Sequence, residues 1–169
     1  MLKGFMKRVR EDEGFTLIEL MVVVLIIGIL IAIALPTFLG ARQRAQNRAA
    51  QSSLRNALAA AKTIYTDNNT YTPVTNTSLQ AAEGSLTYHV SPSTTPVQVA
   101  WAVTATGGAG QTFGASAMSA SQTCYAIRDT AGTGGGATPG TFYGSTTTPA
   151  NCTGAWAATV ANTSASAFP

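Results

Sequence analysis

Glu19 is the residue of this chain whose chemistry is hardest to account for locally. It stands at the head of an apolar run, and residues 20–35, LMVVVLIIGILIAIAL, carry no polar side chain at all. A carboxylate in such surroundings is costly unless an opposite charge neutralises it. One reading is a boundary residue whose carboxylate snorkels to lipid headgroups. The other needs a cationic partner, and breaking the Gly14–Phe15 bond would create one in the new α-amine of Phe15. An amine is no better tolerated alone in lipid, so the two charges, paired between neighbouring chains, would fix axial register while apolar packing supplied adhesion.

Cys124 and Cys152 are the only cysteines and lie in a Thr/Ser/Gly-rich segment of secreted character. In an oxidising compartment they would pair and close a loop of about 29 residues, worth about 3–4 kcal/mol in the chain-entropy description; the alternative is two free thiols. Two cysteines and the single histidine, His89, cannot make a four-ligand zinc site. His89 sits between Tyr88 and Val90 in a strand-like run and reads as an exposed or hydrogen-bonded strand residue rather than a base. Beyond the apolar run the carboxylates are Asp67, Glu83 and Asp129, far apart in sequence. There is no Gly-rich phosphate loop with lysine, no nucleophile elbow and no metal-ligand cluster. The chain is therefore expected not to be an enzyme and to need no cofactor or metal. Asn-x-Ser/Thr matches at Asn68, Asn76, Asn151 and Asn162 are weak glycosylation signals, because a Thr-rich chain produces them by chance.

The elements that hold these residues follow from periodicity and charge. A length of 169 residues allows one modest domain plus an appendage. Residues 15–39 would make a helix about 37 Å long, enough to cross a bilayer core of about 30 Å. This exceeds a secretory h-region, and its candidate stops are Pro36 and Gly40. Lys3, Lys7, Arg8 and Arg10 precede the run and Arg42, Arg44 and Arg48 follow it, so charge asymmetry does not orient it. Pro36 removes a helical hydrogen bond and is expected to kink or locally melt the helix, while Gly28 allows close helix approach. Both residues are also tolerated in ordinary membrane helices.

Residues 41–67 read as an amphipathic helix, with Ala50, Leu54, Leu58, Ala61 and Tyr65 on one face and Arg44, Arg48, Arg55 and Lys62 on another. The apolar stripe should pack on a sheet. The basic stripe is a solvated face, or it lines the interior between packed neighbouring chains, or it meets acidic groups of those neighbours. Asp67-Asn68-Asn69 should end the helix, since Asn tolerates the left-handed cap conformation. Strands are expected at 86–90, 97–105, 113–119 and 124–128, with edge strands at 141–143 and 156–160, a turn at 107–110 and a flexible loop at 131–140. Trp101 and Trp156 read as core residues. The net charge of +3 comes from the leader and the helix, and the remainder is nearly uncharged, which does not support nucleic-acid binding.

The stretch Gly14-Phe15-Thr16-Leu17-Ile18-Glu19-Leu20, followed by the apolar run with Gly28 and Pro36, resembles the processing and assembly signature of type IV prepilins. The resemblance covers residues 14–37 closely and continues loosely to Tyr65–Tyr71. Three to five antiparallel strands expected against residues 41–67 make an α+β fold, in which a long N-terminal α-helix packs on a small antiparallel sheet. Residues 1–14 would be a leader, 15–40 a transmembrane and assembly helix, 41–67 its amphipathic continuation, and 68–169 a β-rich head with a disulfide-closed C-terminal loop. The resemblance implies cleavage after Gly14 by a membrane prepilin peptidase, N-methylation of Phe15, and addition to a homopolymer at an assembly platform in the cytoplasmic membrane. Glu19 would neutralise the Phe15 amine of an adjacent subunit, and the segment between Gly28 and Pro36 would unwind in the filament. The resulting extracellular pilus would serve adhesion, motility or DNA uptake. The alternatives are a minor pilin or a type II secretion pseudopilin, which the cysteine pair and the lack of an acidic calcium loop disfavour. A membrane-anchored binding protein would leave Glu19 and the Gly14–Phe15 junction without a purpose.

Overall fold

The computed structural model describes residues 14–89, 92–105, 108–134, 138–160 and 168. The expected leader apart from Gly14 lies outside these, as do Val90, Gly107, Gly135, Gly136 and Asn162. The chain forms two compact units, Met1–Gly40 and Ala41–Pro169, and helix α1 (Leu17–Asn68) contributes to both. The architecture is α+β: a long apolar helix and a five-stranded, mostly antiparallel sheet.

In the first unit every residue from 15 to 39 is exposed, among them Phe15, Leu25, Ile33 and Phe38. By length and composition α1 is the one helix among the described residues able to cross a membrane. A helix that is apolar on all faces has no polar side to present to water, so lipid or other protein must surround it. The helix runs through Gly28 and Pro36 without a break. One turn before Thr37, the Ala34 carbonyl takes a 2.8 Å bond from the Thr37 hydroxyl.

In the second unit α1 buries Ala50, Ser53, Leu54, Ala57, Leu58, Ala60 and Ala61. Four of these are alanines, so the helix axis can lie close to the sheet. The helix stops where expected: Asn69 takes φ 53°, and its N–H donates to Tyr65 O at 2.7 Å. The exit is tied to a turn across the domain, since Tyr71 N–H donates to Gly110 O at 2.7 Å and the Gln111 amide to Asn69 O at 3.1 Å. Gly110, at φ +67°, is required there, because a Cβ would fall 2.1 Å from Thr72 Oγ1.

The sheet runs in order β1 (Thr87–His89), β2 (Gln98–Thr104), β3 (Thr112–Met118), β4 (Cys124–Thr130), β5 (Gly140–Thr146). β2 to β5 are antiparallel, whereas β1 pairs parallel to β2 with Thr87 opposite Gln98. Each strand differs by a few residues from its expected span, and β5 is twice as long as the expected 141–143 edge. Two elements correct the sequence reading. The Thr/Asn-rich connection after α1 contains helix α2 (Asn76–Ala82), started by a reciprocal Thr75–Ser78 capping box. Residues 156–160 are not an edge strand: Thr153 Oγ1 accepts from Trp156 N–H at 3.1 Å and caps the short helix α3 (Gly154–Ala157).

α3 and the 3₁₀ turn Pro149–Asn151 belong to a C-terminal segment that covers the sheet face opposite α1, so every residue of β3 and β4 is buried. The segment lies very close. A Cβ on Gly114 would meet Ala158 N at 2.4 Å, and one on Gly154 would meet the Trp101 carbonyl carbon at 2.0 Å. Cys124 and Cys152, both fully buried, are joined by a disulfide that fixes this segment to β4. Trp101 and Trp156 sit at the core's rim, half-buried, and Trp101 Nε1 donates to Asn76 Oδ1 at 2.7 Å.

Candidate functional site

The first turn of α1 is built around Thr16 and Glu19. Thr16 precedes the helix, and its carbonyl accepts the Leu20 N–H at 3.2 Å. Its hydroxyl oxygen accepts the Glu19 N–H at 3.2 Å, while the Glu19 carboxylate takes bonds from Thr16 N–H at 3.2 Å and from the Thr16 hydroxyl at 2.9 Å. Thr16-Leu17-Ile18-Glu19 is thus a capping box in which two otherwise orphaned backbone donors are satisfied reciprocally. The Thr-x-x-Glu spacing signals this in the sequence, although the charge of Glu19 in apolar surroundings is the more conspicuous feature. Glu19 also places negative charge at the positive end of the helix dipole.

Gly14 and Phe15 stand immediately before this turn, exposed and outside the helix, and a Cβ on Gly14 would have open space within 4 Å. The Gly14–Phe15 peptide and the Glu19 carboxylate are therefore separated by a single helical turn. Gly28 and Pro36 lie further along the same helix in exposed apolar surroundings, and Ile31, Ala34, Leu35 and Phe38 line a shallow apolar groove beside Pro36.

The cations of the second unit divide into two groups. Lys62 pairs with Asp129 at 2.8 Å, and the Arg55 guanidinium lies 5.3 Å from the Phe168 ring centre. Arg42, Arg44 and Arg48 are exposed. Asp129 is buried on β4 and also accepts the Tyr71 hydroxyl at 2.5 Å and the Thr141 hydroxyl at 2.7 Å. This cluster escaped the sequence reading, although strand alternation places Asp129 on the same face as Tyr125 and Ile127. Burial raises the Tyr71 phenol, and the bond to the Asp129 carboxylate and its charge add to that shift. Burial also pushes Tyr88 up to about 12. Arg128, on the opposite face, lies 4.4 Å from the Phe142 ring centre and is lowered by desolvation. His89 is half-buried on β1, and its Nε2 makes no hydrogen bond among the described residues. Among the described residues no three His, Cys, Asp or Glu side chains gather as a metal site.

An exposed apolar helix opening on a lone capped carboxylate matches a known family model over residues 10–35, the prokaryotic N-terminal methylation motif. The N-terminal segment carries that methylation motif. The chain is also similar to type IV pilus and type II secretion system proteins. It is 42% identical over 66 residues to the type IV major pilin protein of Myxococcus xanthus, covering 39% of this chain and 30% of the relative. It is 43% identical over 63 residues to the type IV wide pilus major component of Thermus thermophilus, covering 37% and 48%. It is 40% identical over 76 residues to the type II secretion system core protein G of Vibrio cholerae, covering 45% and 51%. The chain thus spans about half or less of these relatives' own lengths.

Proposed function

We propose that this chain is the structural subunit of an extracellular type IV pilus and has no catalytic role. The precursor is held in the cytoplasmic membrane by α1, cleaved between Gly14 and Phe15, methylated on the Phe15 amine and packed through the apolar helix into a homopolymer. The observation that carries this reading is the N-terminal turn, where a single carboxylate sits at the head of a fully exposed apolar helix that bears the methylation motif. Before cleavage, Thr16 supplies the donors that Glu19 needs. After cleavage, the Phe15 amine of an adjacent subunit supplies a positive charge, and the pair sets axial register. Pro36 and Gly28 mark where the helix can unwind within the packed filament, since the Pro36 nitrogen cannot complete the bond to the Ala32 carbonyl.

Replacing Glu19 by Ala in cells that assemble the filament tests this reading. Sheared surface filaments should be lost, while the precursor is still inserted and cleaved. Normal filament yield from Glu19→Ala would contradict it. The likeness to a type II secretion core protein supports a second reading, a pseudopilin whose short filament pushes cargo. Surface shear separates the two, because a pilus subunit is recovered abundantly in the sheared fraction and a pseudopilin is not.

A further inference from the structure

The polymer reading leaves open what the basic face of α1 touches. Resting on that reading, we propose that Arg44 and Arg48 dock the acidic end of the same helix, at Asp67, in a second copy of this chain. Of the four cations in the stripe, Lys62 is held by Asp129 and Arg55 by the Phe168 ring. Arg44 and Arg48 are exposed, and no acid occurs between residues 20 and 66. They flank a groove shared with Asn47, Gln51 and Tyr125. The Asn47 side-chain oxygen already accepts the Ser119 and Ser121 hydroxyls, at 2.8 and 2.5 Å, which turns its amide donors toward use by others. The groove offers guanidinium and amide donors, which suits a carboxylate.

Asp67 has the complementary problem. It lies exposed in the last turn of α1, where the helix dipole favours cations, yet that turn holds no basic residue. The Asp67 carboxylate makes no hydrogen bond or ion pair among the described residues. Arg48 and Asp67 are 19 positions apart, about 28 Å along a helix and about 100° around it. Antiparallel helices in a two-fold dimer could pair such charges, but the polymer reading, with every apolar N-terminus in one membrane, holds the copies parallel. The charges then match when parallel copies are shifted along the axis, which is a heterologous, open-ended contact. The pairing would add long-range register to that set by Glu19.

Charge reversal in the full-length chain, expressed where filaments assemble, tests this. Arg44→Glu/Arg48→Glu and, separately, Asp67→Lys should each lower sheared filament yield about tenfold, because like charges then face one another across the contact. The combined triple variant should recover to within about threefold of the parent chain. Membrane flotation of each precursor with phosphatidylglycerol and with phosphatidylcholine vesicles runs alongside. Unchanged yield in the double variant and in Asp67→Lys overturns the proposal. So does a triple variant that stays defective while the double reversal weakens only phosphatidylglycerol binding, which would assign the arginines to anionic headgroups. Absence of filaments from the parent chain would instead remove the polymer reading itself.

Discussion

The Lys62 ammonium on α1 lies 2.8 Å from the Asp129 carboxylate at the buried end of β4, and this ion pair joins the helix to the sheet. The two partners are unequal. The Lys62 side chain is 47% exposed, and that of Asp129 8%. A half-exposed lysine gives its pair only about 1 kcal/mol, because water competes for it. Asp129 also satisfies the Tyr71 and Thr141 hydroxyls, so its removal strands two donors beside the core. Asp129→Ala should therefore destabilise the second unit by about 3 kcal/mol and Lys62→Met by about 1 kcal/mol. Urea unfolding of the two variants checks the order; equal losses would show that the lysine, and not the buried acceptor, dominates.

Stability should fall at alkaline pH for a related reason. Tyr71 and Tyr88 both have phenols raised above the ordinary value of 10, chiefly by burial. A group whose pKa is raised on folding stabilises the fold fully below its unfolded pKa and loses that contribution as pH climbs toward its folded pKa. For Tyr88 the loss runs between pH 10 and about 12, and for Tyr71 it continues higher. Thermal unfolding followed from pH 8 upward should show the decline beginning near the ordinary phenol value. Tyr71→Phe should flatten it, even though the variant is less stable at neutral pH through loss of the bond to Asp129.

The C-terminal segment should respond to very small changes. Gly154→Ala places a methyl against the backbone of Trp101 and Ala102, which cannot move aside as a flexible side chain would. Overpacking of this kind costs about 1–3 kcal/mol. Gly84→Ala is the control, since its Cβ would meet nothing closer than the Gln80 carbonyl oxygen at 3.6 Å. A melting temperature unchanged by Gly154→Ala would contradict the close packing of α3 on β2.

The disulfide makes a separate demand on the same segment. Cys124 and Cys152 are 28 positions apart, and opening that loop in the unfolded chain should cost about 3–4 kcal/mol. Cys152→Ser should lower stability by that order and expose the sheet face that α3 covers, which limited proteolysis between β5 and the C-terminus would detect.

What the sequence disclosed follows the strength of each local signal. The apolar run, the alanine-rich stripe from Ala50 to Ala61 and the alternation in β2 are long, regular patterns, and the helix and β2 appear where they place them. The α+β architecture follows from those patterns. Helices α2 and α3 were missed because seven and four residues give no period to read, and only the capping residues Thr75 and Thr153 mark them. Strands β3 and β4 are buried on both faces, so Gly114, Ala115, Ser116 and Ala117 carry no alternation of polarity, and the missing side chain of Gly114 records the close approach of the C-terminal segment at Ala158. At the N-terminal turn, Glu19 drew notice by its charge, whereas its partner Thr16 did not. A hydroxyl's role depends on a geometry that composition does not reveal.

The central claim is that a positive charge for Glu19 is produced by opening the Gly14–Phe15 bond before subunits join. Mass spectrometry of the intact subunit recovered from sheared filaments tests it most directly. The account predicts a chain that begins at Phe15 and carries a methyl group on that amine. Polymerised subunits that still hold residues 1–14 would contradict it.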